Sequence, residues 1–110
     1  MKLPNADRAV VDIKKLRDYC LNPEHRRGRH KARVFAATTG LTKDKAGELR
    51  EALLAAVRDN DASPSQQDEY GSRYVIDFAM SGPRGQAIIR SSWIVLQGED
   101  FPRLTSCYVT

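Results

Sequence analysis

The chain has 110 residues, which is enough for one hydrophobic core and too few for two. Charged residues make up 29% of it and hydrophobic residues 41%, a balance that excludes the disordered and fibrous classes. No stretch approaches the roughly 18 uncharged apolar residues that a membrane span requires. The opening sequence MKLPNADRAVVD lacks the apolar run of a secretory signal, so we expect a cytoplasmic protein without membrane contact.

The net charge of +4 is distributed unevenly along the chain. Residues 1–58 hold fourteen Lys and Arg against seven Asp and Glu, whereas residues 59–110 hold four against seven. The sequence HRRGRHKAR at 25–33, which we call the basic segment, contains five of these cations, both histidines and no acid. Such a segment predicts an anionic partner, most commonly nucleic acid, although solvated charges on a helix face produce the same pattern.

The first half of the chain has the periodicity of helices. Asp12 is expected to cap a first helix that ends near Leu21, because the following Asn22-Pro23 disfavours its continuation. The apolar stripe of this helix consists of Ile13, Leu16 and Cys20. Ahead of it, the short apolar run at 9–11 is a candidate edge strand.

Two further helices are predicted before residue 60. The second begins around Gly28 and ends at Gly40, and its buried stripe consists of Ala32, Phe35, Ala36 and Thr39. The third begins with Thr42 as its N-cap and ends near Arg58. Its inward face consists of Ala46, Leu49, Leu53, Ala56 and Val57.

The second half changes to the period of two that is typical of strands. The polar, proline-containing stretch at 59–69 predicts a loop. Strands are then predicted at 74–80, 86–97 and 104–109, separated by turns that contain glycine and proline. The predicted fold class is α+β, with two to three N-terminal helices packed on a C-terminal antiparallel sheet of three to four strands. We expect a single domain over 1–110, helical and basic over 1–58 and a β meander over 70–110.

Alternation assigns the strand residues to two faces of the sheet. In the long middle strand, the predicted core face carries Ile89, Ser91, Trp93 and Val95. Arg90 and Ser92 lie on the opposite, open face, which is free to bind a nucleotide. In the last strand a regular alternation places Thr105 and Tyr108 on opposite faces, so either a β-bulge intervenes or only one of them is a site residue.

Three segments resemble an uncharacterised family of small bacterial proteins. They are KLRDYCLNPEHRRGRHKARVF at 15–35, DEYGSRYVIDF at 68–78 and SSWIVLQGEDFPRLTSCYV at 91–109. The resemblance covers nearly the whole chain, and the layout in turn resembles the barnase–EndoU–colicin–RelE class of metal-independent ribonuclease toxins. It implies helices that carry a basic, histidine-containing segment, followed by an antiparallel sheet that ends in Arg, Thr and Tyr.

The motif of that family can be placed on this chain position by position. It falls on Gly28, Lys31, Phe35, Gly40, Tyr70, Gly71, Trp93, Pro102, Arg103, Thr105 and Tyr108. His25 lies in the recurring Pro-Glu-His stretch of the family, whereas the pattern allows other residues at His30. The resemblance therefore implies His25 rather than His30 as the histidine of a site.

Metal-free RNA cleavage requires a base for the 2′-hydroxyl, positive donors for the phosphorane and an acid for the leaving 5′-oxygen. Histidine suits both proton roles, and Lys and Arg bind phosphate. The candidate catalytic residues are His25, His30, Lys31, Thr105 and Tyr108. The candidate residues for binding RNA or phosphate are Arg26, Arg27, Arg29, Arg33, Arg90, Ser92 and Arg103.

The predicted function is thus a small ribonuclease toxin, with RNA as substrate and an acidic cognate antitoxin or immunity protein as partner. The alternative is a non-catalytic RNA-binding or antitoxin/immunity-type interaction protein. No zinc-ligand spacing, phosphate-binding loop or dinucleotide motif occurs, so we expect neither a metal nor a cofactor. Cys20 and Cys107 have apolar neighbours and are interpreted as small buried hydrophobic residues.

Overall fold

The chain folds into helices followed by a four-stranded antiparallel sheet, and this confirms the α+β prediction. The structure is a computed structural model that describes all residues from 1 to 110. The helical elements are α1 (Ile13–Lys15), its π-helical continuation (Leu16–Cys20), α2 (Arg29–Thr38) and α3 (Ala46–Asp59). The strands are β1 (Ser63–Asp68), β2 (Gly71–Gly82), β3 (Gly85–Leu96) and β4 (Arg103–Val109). None of the helices combines the length and the hydropathy that crossing a bilayer takes.

Residues 13–20, which we call the first helical segment, begin where the sequence predicts. The Asp12 carboxylate accepts a hydrogen bond from the Lys14 N–H at 2.9 Å and so caps the segment. From Leu16 onward the helix widens into a π-helical turn. The predicted stripe is wrong at its first position, because Ile13, the first residue of α1, is 41% exposed.

The candidate edge strand at 9–11 consists of a single parallel bridge between Val10 and Arg103. The Val10 N–H donates to the Pro102 carbonyl, and the Leu104 N–H donates to the Val10 carbonyl, each at 3.0 Å. This bridge joins the chain that leads into the first helical segment to the start of β4.

The second and third helices follow the prediction closely. α2 ends ahead of Gly40, whose φ of +79° is the left-handed conformation that glycine favours at helix ends. All five residues of the predicted inward face of α3 are buried. The predicted N-cap is wrong, because the Thr42 hydroxyl donates to the Asp44 carboxylate and a 3-10 turn precedes α3.

The predicted loop at 59–69 is wrong over most of its length, since Ser63–Asp68 forms strand β1 and pairs antiparallel with β2. Five of the six residues of β1 are exposed, and its register is interrupted between Pro64 and Gln67. Because β1 is an edge strand with no buried face, backbone pairing stabilises it without an apolar pattern in the sequence.

The sheet order is β1-β2-β3-β4, and a β-bulge interrupts the last pair of strands. Ser92 pairs with Ser106, whereas the next residue, Trp93, pairs with Leu104, so Thr105 is the extra residue. As a result, both Leu104 and Cys107 face the core. The bulge alternative raised by the sequence is therefore confirmed.

The helices and one face of the sheet enclose the core. Ile89, Ser91 and Trp93 are fully buried, as the alternation along β3 predicts. The prediction is wrong at the end of the strand, because Val95 is only half-buried and the next residue toward the bulge, Ile94, is buried instead. The indole N–H of Trp93 donates to the Ser91 hydroxyl at 2.9 Å, and that hydroxyl donates to the Ile76 carbonyl at 2.8 Å. Trp93 is thus a core residue with its polar atom satisfied, and it does not form a surface on which a base could stack.

Candidate functional site

A cleft of about 520 Å³ lies between the first helical segment and β4. The residues that line it are Asp12, Lys14, Lys15, Asp18, Tyr19, His25, Thr105 and Ser106. All of them except Tyr19 are polar or charged, and both acidic and basic side chains are present. We call it the helix–strand cleft.

One wall of the cleft is the polar side of the first helical segment. Asp12, Lys15 and Tyr19 are spaced by three and four residues, which places them on one side of a helix. The Lys15 ammonium lies 3.5 Å from the Leu104 carbonyl and so reaches the opposite wall. The Asp18 carboxylate accepts a hydrogen bond from Arg17 at 3.0 Å, and this bond lowers the pKa of Asp18.

His25 enters the cleft from the loop that leads into α2. Its Nδ1 accepts hydrogen bonds from the backbone N–H groups of Arg27 and Gly28, both at 3.1 Å. A nitrogen that accepts cannot carry the proton, so the neutral ring is protonated at Nε2. The Tyr19 ring packs edge-on against the imidazole with centroids 4.5 Å apart. His25 is therefore held in one tautomer, with Nε2 left as the nitrogen that can donate to a ligand.

The opposite wall is the bulge in β4. The Thr105 hydroxyl donates to the Ser92 carbonyl at 3.0 Å, which leaves its lone pairs available to accept. Ser106 lies beside it on the cleft. Thr105 and His25, which are eighty residues apart in sequence, thus line the same concave surface.

The remaining candidate catalytic residues lie outside this cleft. His30 is exposed on the first turn of α2. The Lys31 ammonium lies 4.7 Å from the centroid of the Tyr108 ring, a cation–π contact that joins α2 to β4. Lys31 and Tyr108 therefore contact each other but do not line the cleft.

The basic segment forms an exposed patch next to the cleft. None of its five Lys and Arg side chains makes an ion pair, and all are exposed: Arg26, Arg27, Arg29, Lys31 and Arg33. Arg33 also lines a second, more apolar pocket of about 320 Å³. Unpaired guanidinium groups keep their hydrogen-bond donors available for an anion.

The two candidate arginines of the sheet are engaged within the chain. Arg90 makes two hydrogen bonds of 2.9 Å to Asp77, and these bonds raise the pKa of Arg90. Arg103 binds Glu99 in the same two-point manner at 2.8 and 2.9 Å. The Ser92 carbonyl accepts from Thr105. The guanidinium groups of Arg90 and Arg103 thus donate to carboxylates, unlike the cations of the basic segment.

Sequence reasoning missed six residues of the cleft: Asp12, Lys14, Lys15, Asp18, Tyr19 and Ser106. The helical spacing of the polar residues of the first helical segment was a visible signal, since they lie opposite its apolar stripe. Their proximity to β4 depends on long-range packing, which no local pattern reveals. No group of three or more His, Cys, Asp or Glu side chains comes together in a way that could hold a metal ion.

Comparison with known families places the whole chain in one of them. The family model described as a domain of unknown function (DUF6883) matches residues 2–110. The chain belongs to this family. No curated protein sequence matches this DUF6883 member.

Among solved structures, the DUF6883 chain is similar to one chain of a contact-dependent growth inhibition toxin–immunity protein complex from Klebsiella pneumoniae 342. The two share 18% sequence identity with a TM-score of 0.70, over 92% of this chain and 99% of the other. At this identity the similarity establishes a shared fold.

Proposed function

We propose that the chain is the toxin of a toxin–immunity pair and that it cleaves RNA by 2′-hydroxyl transesterification without a metal ion. The observation that carries the proposal is the convergence of His25 and Thr105 on the helix–strand cleft, with Lys15 between the two walls. The fold supports it as well, since a chain of a toxin–immunity complex has the same architecture. Fold alone does not assign chemistry, so the residues of the cleft have to supply it.

The charge distribution favours an RNA substrate. The first 58 residues carry a balance of +7, and the unpaired cations of the basic segment adjoin His25 at the cleft. A chain of phosphates that follows the basic segment would be led to the cleft by electrostatic attraction. The same surface fits an acidic immunity protein, which would block access to RNA by occupying it.

The donors in the cleft suit a phosphate that gains negative charge. In transesterification the 2′-oxygen attacks phosphorus and the bond to the 5′-oxygen breaks, which gives a 2′,3′-cyclic phosphate and a free 5′-hydroxyl. The Lys15 ammonium and the Nε2–H of His25 would donate to the phosphorane oxygens, whose negative charge is greatest in the transition state.

The tautomer of His25 favours the role of donor over that of base. Its Nδ1 accepts from two backbone N–H groups. A proton on Nδ1 would turn it into a third donor that faces these two. The 2′-hydroxyl proton needs another acceptor, and the cleft offers the carboxylates of Asp12 and Asp18. Arg17 donates to both carboxylate oxygens of Asp18, whereas only one oxygen of Asp12 accepts a hydrogen bond, from the Lys14 N–H, so we assign this step to Asp12. The leaving 5′-oxygen takes its proton from water.

The direct test is incubation of the purified chain with a defined RNA in the presence of EDTA. We expect fragments that end in a 2′,3′-cyclic phosphate and begin with a 5′-hydroxyl. The matched control is the same RNA with a 2′-deoxy sugar at the cleavage position, which should remain intact. RNA that stays whole at every protein concentration contradicts the proposal; salt-dependent binding without turnover would favour a non-catalytic RNA-binding protein instead.

A further inference from the structure

The chain has two cysteines, and the fold brings them together. Cys20 ends the π-helical turn and Cys107 lies in β4, 87 positions later. Both are free thiols with 1% exposure, and they belong to one core cluster in which the π-helical turn contacts β4. The residues that precede them, Tyr19 and Ser106, line opposite walls of the helix–strand cleft. The two thiols thus connect the same two walls from the core side.

We propose that Cys20 and Cys107 are a modification site, at which exchange with a small disulfide such as oxidised glutathione forms an intramolecular disulfide that fixes the two walls of the cleft to each other. The packing of both thiols in one core cluster, their place behind both walls and the lack of any competing cysteine carry this inference. It does not depend on RNA cleavage, because its test is chemical.

The exchange proceeds in two balanced steps. The Cys20 thiolate attacks one sulfur of the small disulfide, which forms a mixed disulfide and releases one thiol. Cys107 then gives up its proton and attacks the Cys20 sulfur, which closes the internal bond and releases the second thiol. Two cysteine thiols are oxidised, and one molecule of the small disulfide is reduced to two thiols.

The surroundings of the pair make Cys20 the attacking residue. The hydrogen bond from the Cys107 thiol lowers the pKa of Cys20 to about 7, with a smaller contribution from the charges of Lys15 and Lys31. The hydrogen bond to Cys20, followed by burial, raises the pKa of Cys107. Because both thiols are buried, the first step requires local opening of the π-helical turn, which favours a small disulfide over a protein oxidant.

The test is a redox titration of the full chain with reduced and oxidised glutathione, followed by acid quenching, alkylation with N-ethylmaleimide and measurement of the intact mass. The ratio of oxidised to reduced protein at each glutathione ratio gives the effective concentration of one thiol near the other. We expect this effective concentration to be about 100-fold higher in the folded chain than in urea, since folding holds together thiols that are far apart in sequence. A ratio below about tenfold, or a mixed disulfide or linked dimer as the main product, overturns the inference.

Single replacements provide the controls. In Cys107→Ser the mixed disulfide at Cys20 should accumulate, because the second step has lost its nucleophile. In Cys20→Ser the reaction with glutathione disulfide should be at least about tenfold slower, since Cys107 is the weaker thiolate. Equal rates for the two variants contradict the assignment of Cys20. The oxidised wild-type chain should also have a Tm about 10 °C above that of the reduced chain, and an unchanged or lower Tm contradicts a bond that fits the native geometry.

Discussion

Gly28 joins the loop that carries His25 to the first helical segment by close backbone packing. A Cβ at this position would lie 2.6 Å from the Tyr19 carbonyl oxygen and 3.6 Å from the His25 ring. The backbone conformation itself suits any residue, since φ is −91°. The position is therefore restricted by space. The absence of a side chain at Gly28 lets the backbone approach Tyr19 closely, and Tyr19 and His25 pack against each other at the cleft.

We expect Gly28→Ala to lower the free energy of unfolding by about 1–3 kcal/mol, because a backbone carbonyl must move to admit the methyl group. Gly47→Ala is the matched control: nothing lies within 4 Å of a Cβ there, and alanine stabilises a helix by about 0.5–1 kcal/mol relative to glycine. Urea unfolding of both variants measures the difference. Changes of the same sign in the two variants would contradict this account of Gly28.

The individual roles of residues in the cleft were only partly visible in the sequence. His25 was a candidate because of its basic neighbours, but which of its nitrogens accepts depends on the turn formed by Arg27 and Gly28. Thr105 was a candidate from the family pattern, but its position depends on a β-bulge. The alternation of residues in the sequence left open whether that bulge is present. Arg90 was placed on the correct face, yet its pairing with Asp77 follows from the register of two strands.

Among the elements, β1 shows why a polar strand escapes a search for alternation. Its sequence SPSQQD has no apolar face, because it covers the edge of β2 and faces solvent on both sides. The connection to β2 is held by Asp68, whose carboxylate accepts hydrogen bonds from Arg73 at 2.8 Å and from the Tyr70 N–H at 2.9 Å. This carboxylate therefore closes the β1–β2 turn.

The hydrogen bond from Arg73 lowers the pKa of Asp68 to about 2. A carboxyl group whose pKa is lower in the folded state stabilises the fold above its unfolded pKa of about 4, and this contribution is lost as the pH falls to about 2. We expect Asp68→Asn to have a lower Tm than the wild type at pH 7 and the same Tm near pH 2. Glu69→Gln, one position later, should follow the wild type throughout. If Asp68→Asn has the same Tm difference from the wild type at pH 7 and near pH 2, the ionised carboxylate is not what stabilises the turn.

The helices were predictable because their apolar spacing persists over several turns, as in α3, where every predicted inward residue is buried. The first helical segment was predicted in place but not in detail, because it widens into a π-helical turn at Leu16. Its polar side faces β4 across the cleft, and that contact joins residues about ninety positions apart in sequence. Local patterns specify elements, whereas the cleft arises only where two elements meet.

At the scale of the whole molecule, the charges of the sheet are neutralised in pairs and those of the basic segment are not. Arg90 and Arg103 bind carboxylates, whereas the five cations of the basic segment have no acidic partner. Overall net charge therefore understates how concentrated the available positive charge is. The distribution of charge along the sequence had already indicated this surface, because its five cations lie within residues 26–33.

Binding of single-stranded RNA should reflect this difference. We expect joint replacement of Arg26, Arg29 and Arg33 by Gln to make the slope of log binding constant against log salt concentration shallower by about 2. Each lost phosphate contact removes about 0.7 from the slope for a single strand. Arg90→Gln should leave the slope unchanged, because that guanidinium is bound to Asp77. Filter binding or fluorescence anisotropy over a range of salt concentrations measures both slopes. Equal reductions in the two proteins would show that RNA does not follow the basic segment.

If the helix–strand cleft is the place of RNA cleavage, the two histidines of the chain should differ in their effect on the reaction. In His25→Asn the amide oxygen can replace Nδ1 as acceptor for the turn, while the donor at Nε2 is lost. His30→Asn changes an exposed residue that does not line the cleft. Thermal unfolding of both variants checks that the fold is retained.

The deciding measurement is the rate of RNA cleavage in EDTA for these two variants and the wild type. We predict that His25→Asn lowers the rate by about 100-fold or more, as loss of a donor to the transition state does, and that His30→Asn stays within about twofold of the wild type. Wild-type cleavage by a folded His25→Asn protein, or a loss confined to His30→Asn, would contradict the assignment of the cleft.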